Sequence, residues 1–203
     1  MARRSIAKDT ETVQQLLRGR PIVLVGLMGS GKSSVGRRLA EKLELPFVDA
    51  DHAIEEAADK SITEIFADHG ETYFREGERR VITRLLDNGA QVLATGGGAF
   101  MNAETRANIA KAGISIWLRA DLDLLMKRVL RRADRPLLQN DNPTAVMQNL
   151  ITSRYPVYAQ SDITVDSRDV QHAQMVNDVI RAMAAWDGWG LKPITIEKID
   201  AIH

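Results

Sequence analysis

Apolar and polar residues alternate in blocks along the chain, and five short apolar runs are candidates for strands. The first, residues 21–26, is rich in β-branched residues and ends in glycine, which is typical of a strand buried on both faces. The other runs are residues 46–49, 91–95, 114–118 and 163–165. Helical patterns separate them. Strands that alternate with helices predict an α/β fold, with a central parallel sheet of about five strands and helices on both faces.

Local signals mark where some of these helices begin and end. Ser61 and Glu64 form a capping-box pattern, which predicts that a helix begins after Ser61. A helical pattern from about residue 121 runs into Pro136, where the missing N–H group of proline should end it. We therefore expect a mobile lid at about residues 131–142.

A phosphate-binding loop lies between the first predicted strand and the helix after it. Residues 26–33 read Gly-Leu-Met-Gly-Ser-Gly-Lys-Ser and match the pattern G-x-x-x-x-G-K-S/T in full. The plainer alternative is a tight turn before a helix. Glycines allow backbone N–H groups to turn inward around phosphate, and the helix N-terminus adds its positive dipole end. The ATP contacts predicted here are Gly29, Ser30, Gly31, Lys32, Ser33 and Ser34, with Lys32 on the β- and γ-phosphates and Ser33 on Mg²⁺.

Composition narrows the class of partner. The chain has no cysteine, which removes disulfides, thiolate metal sites and cysteine nucleophiles from consideration. Acidic and basic residues balance at 27 each, so no broad electrostatic field favours nucleic acid or an acidic membrane. The sequence has no apolar run long enough to span a membrane and no secretory signal. We expect a cytoplasmic protein with a small-molecule partner.

Two carboxylates follow the second predicted strand. Asp49 and Asp51 are two residues apart, and alternation would aim both toward the carboxyl edge of the sheet, where ligands bind in open α/β folds. Mg²⁺ held mainly by phosphates and water needs one or two protein carboxylates, which suits Asp49. Asp51 could accept a hydrogen bond from an acceptor hydroxyl and orient it for in-line attack. The alternative is an Asp N-cap for a helix at residues 53–58.

The motifs as a set resemble those of the shikimate kinases. Members of that family carry a P-loop, an Asp-x-Asp, a Gly-Glu-x-x-Phe-Arg-x-x-Glu segment, a triple glycine, an Arg-Pro-Leu-Leu lid and a late Arg-x-Pro-x-Tyr. The chain has all six in that order, the last four at residues 70–78, 95–99, 135–138 and 154–158. The resemblance implies the three-layer P-loop kinase fold. It also implies transfer of the ATP γ-phosphoryl group to the 3-hydroxyl of shikimate, in the pathway to chorismate and the aromatic amino acids.

The same resemblance implies four contacts to shikimate, at Asp51, Arg75, Gly97 and Arg154. The two arginines would grip the shikimate carboxylate, because a planar guanidinium matches a carboxylate in a bidentate way that lysine cannot. The residues alone leave plainer alternatives open. Arg75 is at helical spacing from Glu71 and Glu78 and could be a surface ion pair, Arg154 could be a solvated charge, and residues 96–98 could be a simple turn after a strand.

Two further arginines are implied on the nucleotide side. Arg135, in the lid, would close over ATP and neutralise charge on the transferring phosphoryl group, together with Lys32. Arg168, after the last strand, would lie near the adenine by cation–π stacking. The implied catalytic residues are Lys32, Asp51 and Arg135. Asp51 would position the acceptor hydroxyl and take its proton late, since an ordinary aspartate is a poor base toward an alcohol.

The resulting organisation has three parts. Residues 1–20 form an N-terminal extension, either an appended helix or a mobile arm. Residues 21–186 form a shikimate-kinase-like P-loop kinase domain, and residues 187–203 form a C-terminal tail to which we assign no function. The expected partners are shikimate and ATP with Mg²⁺, without nucleic acid or membrane, and the expected state is a monomer.

Three other functions share part of this pattern. Another small-metabolite kinase, such as a gluconate kinase, would use the same fold. A nucleoside monophosphate kinase fits less well, because the acceptor arginines match a carboxylate-binding pattern. A regulatory GTP switch would need a guanine-reading Asn-Lys-x-Asp or Thr-Lys-x-Asp segment; the nearest sequence is residues 197–200, in the tail.

Overall fold

The structure is a computed structural model that describes residues 5–131 and 141–190. Most of the predicted lid, including Arg135, lies outside the described residues, as does most of the C-terminal tail. The lid therefore stays a prediction.

The centre of the protein is a five-stranded parallel sheet, as the apolar runs predicted. Its strands are β1 (Ile22–Val25), β2 (Phe47–Asp49), β3 (Val92–Ala94), β4 (Ile114–Arg119) and β5 (Ile163–Asp166). Their spatial order is β2-β3-β1-β4-β5, and every neighbouring pair is parallel. Parallel neighbours need a crossover connection, usually a helix, so the loops at the carboxyl ends of the strands collect at one edge of the sheet.

Eight α-helices surround the sheet. They are α1 (Ile6–Leu17), α2 (Lys32–Leu43), α3 (Ala50–Ala58), α4 (Ile62–Leu86), α5 (Ala103–Ala112), α6 (Leu122–Val129), α7 (Pro143–Tyr158) and α8 (His172–Ala185), among the described residues. The predicted capping box is confirmed, because Ser61 and Glu64 satisfy each other's backbone N–H groups at the start of α4. Gly70 interrupts α4 with a non-helical conformation, φ 78° and ψ 177°, so α4 consists of two helical halves.

Each face of the sheet has its own hydrophobic cluster. Along β1, Ile22 and Leu24 belong to one cluster, and Val23 and Val25 belong to the other, as the period of two in a strand requires. The first cluster lies under α1, α2 and α8, and the second lies under α4 to α7. A small third cluster joins α3 to α4 through Ile54, Ile65 and Phe74. The result is the predicted three-layer arrangement.

The N-terminal extension contains a packed helix. The sequence left a helix and a mobile arm as alternatives, and residues 6–17 form α1. Val13 and Leu17 of α1 are buried in the first cluster, and the Gln14 side chain donates a hydrogen bond to the carbonyl of Leu43 at the end of α2. This helix is therefore part of the main core.

The buried face of α1 makes a testable contribution to stability. We expect Leu17→Ala to lower the free energy of unfolding by about 2–5 kcal/mol, because truncating a buried leucine leaves a cavity. Gln15→Ala, on the exposed side of the same helix, should change it by less than about 0.5 kcal/mol. Urea denaturation of both variants measures the difference. Equal stability of the two would contradict a structural role for α1.

Candidate active site

The phosphate-binding loop connects β1 to α2 at the carboxyl edge of the sheet. Gly31 is the residue before α2, and its φ of 102° is a conformation that L side chains rarely adopt. The Lys32 ammonium group donates hydrogen bonds to the carbonyl oxygens of Gly26 at 2.8 Å and Leu27 at 3.0 Å. Lys32 thus folds back across the loop, in the place from which it can reach a phosphate group bound there.

Arg128, which belongs to no motif in the sequence, contacts the phosphate-binding loop. The Arg128 guanidinium, on α6, donates to the carbonyls of Gly29 at 3.1 Å and Ser30 at 3.3 Å. It also donates to the Ser167 hydroxyl at 2.9 Å and to the Arg168 carbonyl at 2.8 Å. Arg128 therefore ties the phosphate-binding loop to the segment after β5. Its position on a helix gave no sequence signal for this contact.

Ser33 and Asp49 lie together beside the phosphate-binding loop. The Ser33 hydroxyl donates a hydrogen bond to one carboxylate oxygen of Asp49 at 2.8 Å, and the other oxygen accepts from the Asp51 backbone N–H at 3.3 Å. Asp49 is therefore the N-cap of α3, which begins at Ala50, three residues earlier than the sequence indicated. Within the described ranges, no group of three His, Cys, Asp or Glu side chains is placed to hold a metal ion.

Two carboxylates converge on Gly96, the first residue of the triple glycine after β3. A Cβ atom on Gly96 would lie 2.7 Å from the Asp51 carboxylate and 2.9 Å from the Glu78 carboxylate. Glu78 is only 3% exposed. Burial raises the pKa of the Glu78 carboxyl, and the hydrogen bond from Arg75 opposes this shift. Helical spacing predicts Glu78 as an alternative partner for Arg75, but it does not predict the burial of Glu78.

Arg75 makes both of the ion pairs that its helical spacing allowed. Its Nη1 atom donates to Glu78 at 2.8 Å, and its Nε and Nη2 atoms donate to one oxygen of Glu71 at 3.3 and 3.2 Å. The guanidinium also lies directly against Gly98, because a Cβ atom there would be 2.6 Å from the Cζ atom of Arg75. Arg75 is thus an ion-paired helix residue that also contacts the triple glycine.

Two side chains of helix α7 contact Gly97, the middle residue of the triple glycine. Arg154 donates a hydrogen bond to the Gly97 carbonyl at 3.1 Å, and the Tyr158 hydroxyl donates to the same oxygen. Burial raises the pKa of the Tyr158 hydroxyl, which keeps it a hydrogen-bond donor. A Cβ atom on Gly97 would also come within 3.6 Å of the Gly26 carbonyl, so the triple glycine borders the phosphate-binding loop.

The predicted acceptor residues therefore meet at three consecutive glycines. Asp51 lies against Gly96, Arg154 against Gly97 and Arg75 against Gly98. The phosphate-binding loop borders Gly97, and the predicted metal residues Ser33 and Asp49 contact each other beside that loop. If Arg154 were only a solvated charge and residues 96–98 only a turn after a strand, this convergence of elements from separate parts of the chain would have no explanation.

Arg168 is placed differently from the other predicted residues. Its guanidinium pairs with Asp178 on α8, which also pairs with Arg181. Arg168 lines a surface cavity of about 340 Å³ between α6 and the segment after β5, together with Lys127 and Asp169. Its contact with adenine stays a prediction.

The family model described as shikimate kinase matches residues 28–184. A shikimate kinase of Bradyrhizobium diazoefficiens is 59% identical to the chain over 179 residues, which cover 88% of this chain and 86% of that protein. The chain belongs to the shikimate kinase family. A solved shikimate kinase from Acinetobacter baumannii, in complex with shikimate, superposes on 83% of this chain and 95% of that one, with a TM-score of 0.78 and 35% identity.

The gluconate kinase alternative matches the fold alone. A gluconokinase from Sinorhizobium meliloti covers 83% of this shikimate kinase family member and 93% of its own chain, with a TM-score of 0.54 and 19% identity. Likeness at that level reflects the shared P-loop kinase architecture. In the part of the chain that the structure describes, no helix has the length and apolar character of a membrane span.

The contact between Gly98 and Arg75 gives a prediction for this family member. A methyl group at residue 98 would lie less than 3 Å from the end of the Arg75 side chain, which would have to move. Because Arg75 also pairs with buried Glu78, Gly98→Ala should lose some stability as well as activity. We expect its kcat/KM for phosphoryl transfer to fall about 10- to 100-fold, as the predicted role of Arg75 in acceptor binding requires, because a misplaced binding group weakens orientation.

Gly77→Ala is the matched control. Nothing lies within 4 Å of a Cβ atom at Gly77, in the middle of α4. This variant should keep its activity and gain about 0.5–1 kcal/mol of stability, because alanine suits a helix interior better than glycine. Steady-state kinetics and thermal unfolding measure both effects. Unchanged activity in Gly98→Ala would argue against a role for the position of Arg75.

Proposed function

We propose that this chain transfers the γ-phosphoryl group of ATP to the 3-hydroxyl of shikimate, with the site residues predicted from its sequence. The observation that carries the proposal is the meeting of Asp51, Arg75 and Arg154 at residues 96–98, beside the phosphate-binding loop. Two guanidinium groups beside the Asp51 carboxylate and next to a phosphate site suit an acceptor that carries both a carboxylate and a hydroxyl group, although Glu71 and Glu78 also pair with Arg75.

On the acceptor side, each residue has a separate task in this proposal. Arg75 and Arg154 hold the shikimate carboxylate by charge-assisted hydrogen bonds, which fixes the orientation of the ring. Asp51 accepts a hydrogen bond from the acceptor hydroxyl and aims its oxygen at the γ-phosphorus. The backbone at Gly97 lies close to the ring. Buried Glu78 accepts a hydrogen bond from the Nη1 atom of Arg75, which limits the positions that the guanidinium can take.

On the donor side, the chain supplies positive charge and backbone N–H groups. Residues 29–34 surround the phosphates, and Lys32 exchanges its two carbonyl partners for phosphate oxygens, which are stronger acceptors. The hard oxygen donors of Ser33 and Asp49, 2.8 Å apart, fit Mg²⁺ held mainly by phosphates and water. When bound, Mg²⁺ neutralises charge on the β- and γ-phosphates. Arg135 adds charge from the lid, and Arg168 lies near the adenine.

The remaining parts of the proposal concern the whole chain. Residues 21–186 form the catalytic unit, in line with the match of the family model to residues 28–184. The lid, at about residues 131–142, closes over the bound substrates and excludes water, which otherwise competes as phosphoryl acceptor. The chain acts as a cytoplasmic monomer on two small molecules, in the pathway to chorismate.

An acceptor panel tests the proposed substrate. Purified protein with ATP and Mg²⁺ should release ADP rapidly with shikimate as sole acceptor, and at least about 100-fold more slowly with gluconate, which lacks the ring that the two arginines orient. A coupled ADP-release assay gives both rates. Rapid turnover of gluconate without turnover of shikimate would reject the assignment.

Variants of the two sides should affect different kinetic constants. Lys32→Ala should lower kcat about 100- to 1000-fold, as expected when charge stabilisation of the transition state is lost. Arg75→Lys retains a cation beside Glu78 but loses the planar fork, and should raise the KM for shikimate about 10- to 100-fold with little effect on the KM for ATP. Arg80→Ala, at an exposed position of the same helix, is the control. Equal effects of both variants on ATP affinity would contradict this division.

A further inference from the structure

The guanidinium of Arg75 is already occupied by two carboxylates. Its Nε–Nη2 edge donates to Glu71, and its Nη1 atom donates to Glu78. Glu71 therefore occupies the Nε–Nη2 edge, one of the two edges of the guanidinium that offer two parallel N–H groups. Bidentate capture of another carboxylate at this edge requires Glu71 to leave.

The two partners differ in how easily they can leave. The Glu78 side chain is 4% exposed, and moving its carboxylate off Arg75 would leave a buried charge without its cation. The Glu71 side chain is 69% exposed, holds Arg75 at longer distances, and can be solvated at once. Glu71 also lines a surface cavity of about 420 Å³ that reaches Arg75. Glu71 is therefore the partner whose departure from Arg75 costs less.

We propose that Glu71 is an internal competitor of the substrate, which occupies Arg75 until the substrate carboxylate replaces it. This inference rests on the proposed function, because it takes Arg75 as the group that binds the carboxylate of the acceptor. Glu71 lowers the affinity for an acceptor that carries a carboxylate, and takes no part in phosphoryl transfer.

The charges around Arg75 give this exchange a selective effect. One guanidinium faces two carboxylates, from Glu71 and Glu78, so an incoming anion meets a locally negative group until Glu71 swings into solvent. A substrate carboxylate replaces the lost pair with an equivalent one. A neutral acceptor offers no such replacement and leaves Glu71 in place. Because only an acceptor with a carboxylate must displace Glu71, the exchange lowers the affinity for such acceptors and leaves the affinity for neutral ones unchanged.

Removal of the competing charge tests the inference. Glu71→Gln should lower the KM for shikimate about 2- to 5-fold, which is the size of effect expected from an exposed ion pair. Its kcat and its KM for ATP should stay within about twofold of wild type. Glu76→Gln removes the same charge from the same helix and cavity, without a partner role toward Arg75 among the described contacts, and should leave the KM for shikimate unchanged.

A neutral analogue tests whether the gain in affinity depends on the substrate carboxylate. In calorimetric titrations, Glu71→Gln should bind shikimate more tightly than wild type does, but should bind the methyl ester of shikimate with unchanged affinity. The advantage of the variant for shikimate should shrink at high salt, because screening weakens the exposed pair in the wild type. Equal gains for shikimate and its ester would overturn the proposal.

The kinetic constants of the variants can also reject the competitor role. A KM for shikimate that rises in Glu71→Gln would show that Glu71 positions Arg75 for the substrate, and an unchanged KM would show that it is a bystander; either result rejects the competitor. An equal fall in Glu76→Gln would assign the effect to long-range charge instead. Failure of the wild-type protein to phosphorylate shikimate is a different result, since it rejects the proposed function itself.

Discussion

The arrangement of the candidate site depends on the absence of side chains at residues 96 and 98. A Cβ atom at Gly96 or Gly98 would lie less than 3 Å from a charged side chain, and one at Gly97 would lie 3.5 Å from Arg154. Charged groups from α3, α4 and α7 reach a common point only because the end of β3 occupies so little volume. The same segment borders the phosphate-binding loop, so donor and acceptor groups share one boundary. The close approach of Asp51 and Arg75 to this segment therefore depends on glycine at residues 96 and 98.

Most of the fold could be predicted from the sequence because the strands are buried on both faces. Burial on both faces demands continuous apolar runs, and all five runs became strands in a parallel sheet. The phosphate-binding loop was equally visible, because its fixed spacing reflects backbone geometry. The sequence could not decide between a helix and an arm at the N-terminus. The burial of Val13 and Leu17 against α8 and α2 is a tertiary contact that local periodicity does not contain.

The candidate site was predictable only in part, for two physical reasons. Glu71 and Glu78 have the same helical relation to Arg75 in the sequence, and only the structure distinguishes the exposed carboxylate from the buried one. Arg128 has no local motif at all. It contacts the phosphate-binding loop across 99 residues of chain, as one of several arginines near the end of a helix. From the sequence, Arg75 could be either a surface ion pair on a helix or a binding residue. In the structure it makes the ion pairs and also contacts Gly98 in the candidate site, so the two roles are compatible.

The small third cluster of Ile54, Ile65 and Phe74 has an evolutionary consequence. It joins α3, which carries Asp51, to α4, which carries Arg75, and Val81 packs against both this cluster and the second large one. In the proposed function these two helices supply acceptor groups, so substitutions within this cluster would shift Asp51 and Arg75 relative to each other while the sheet and the phosphate-binding loop are kept. The acceptor side could thus vary in evolution separately from the phosphate side.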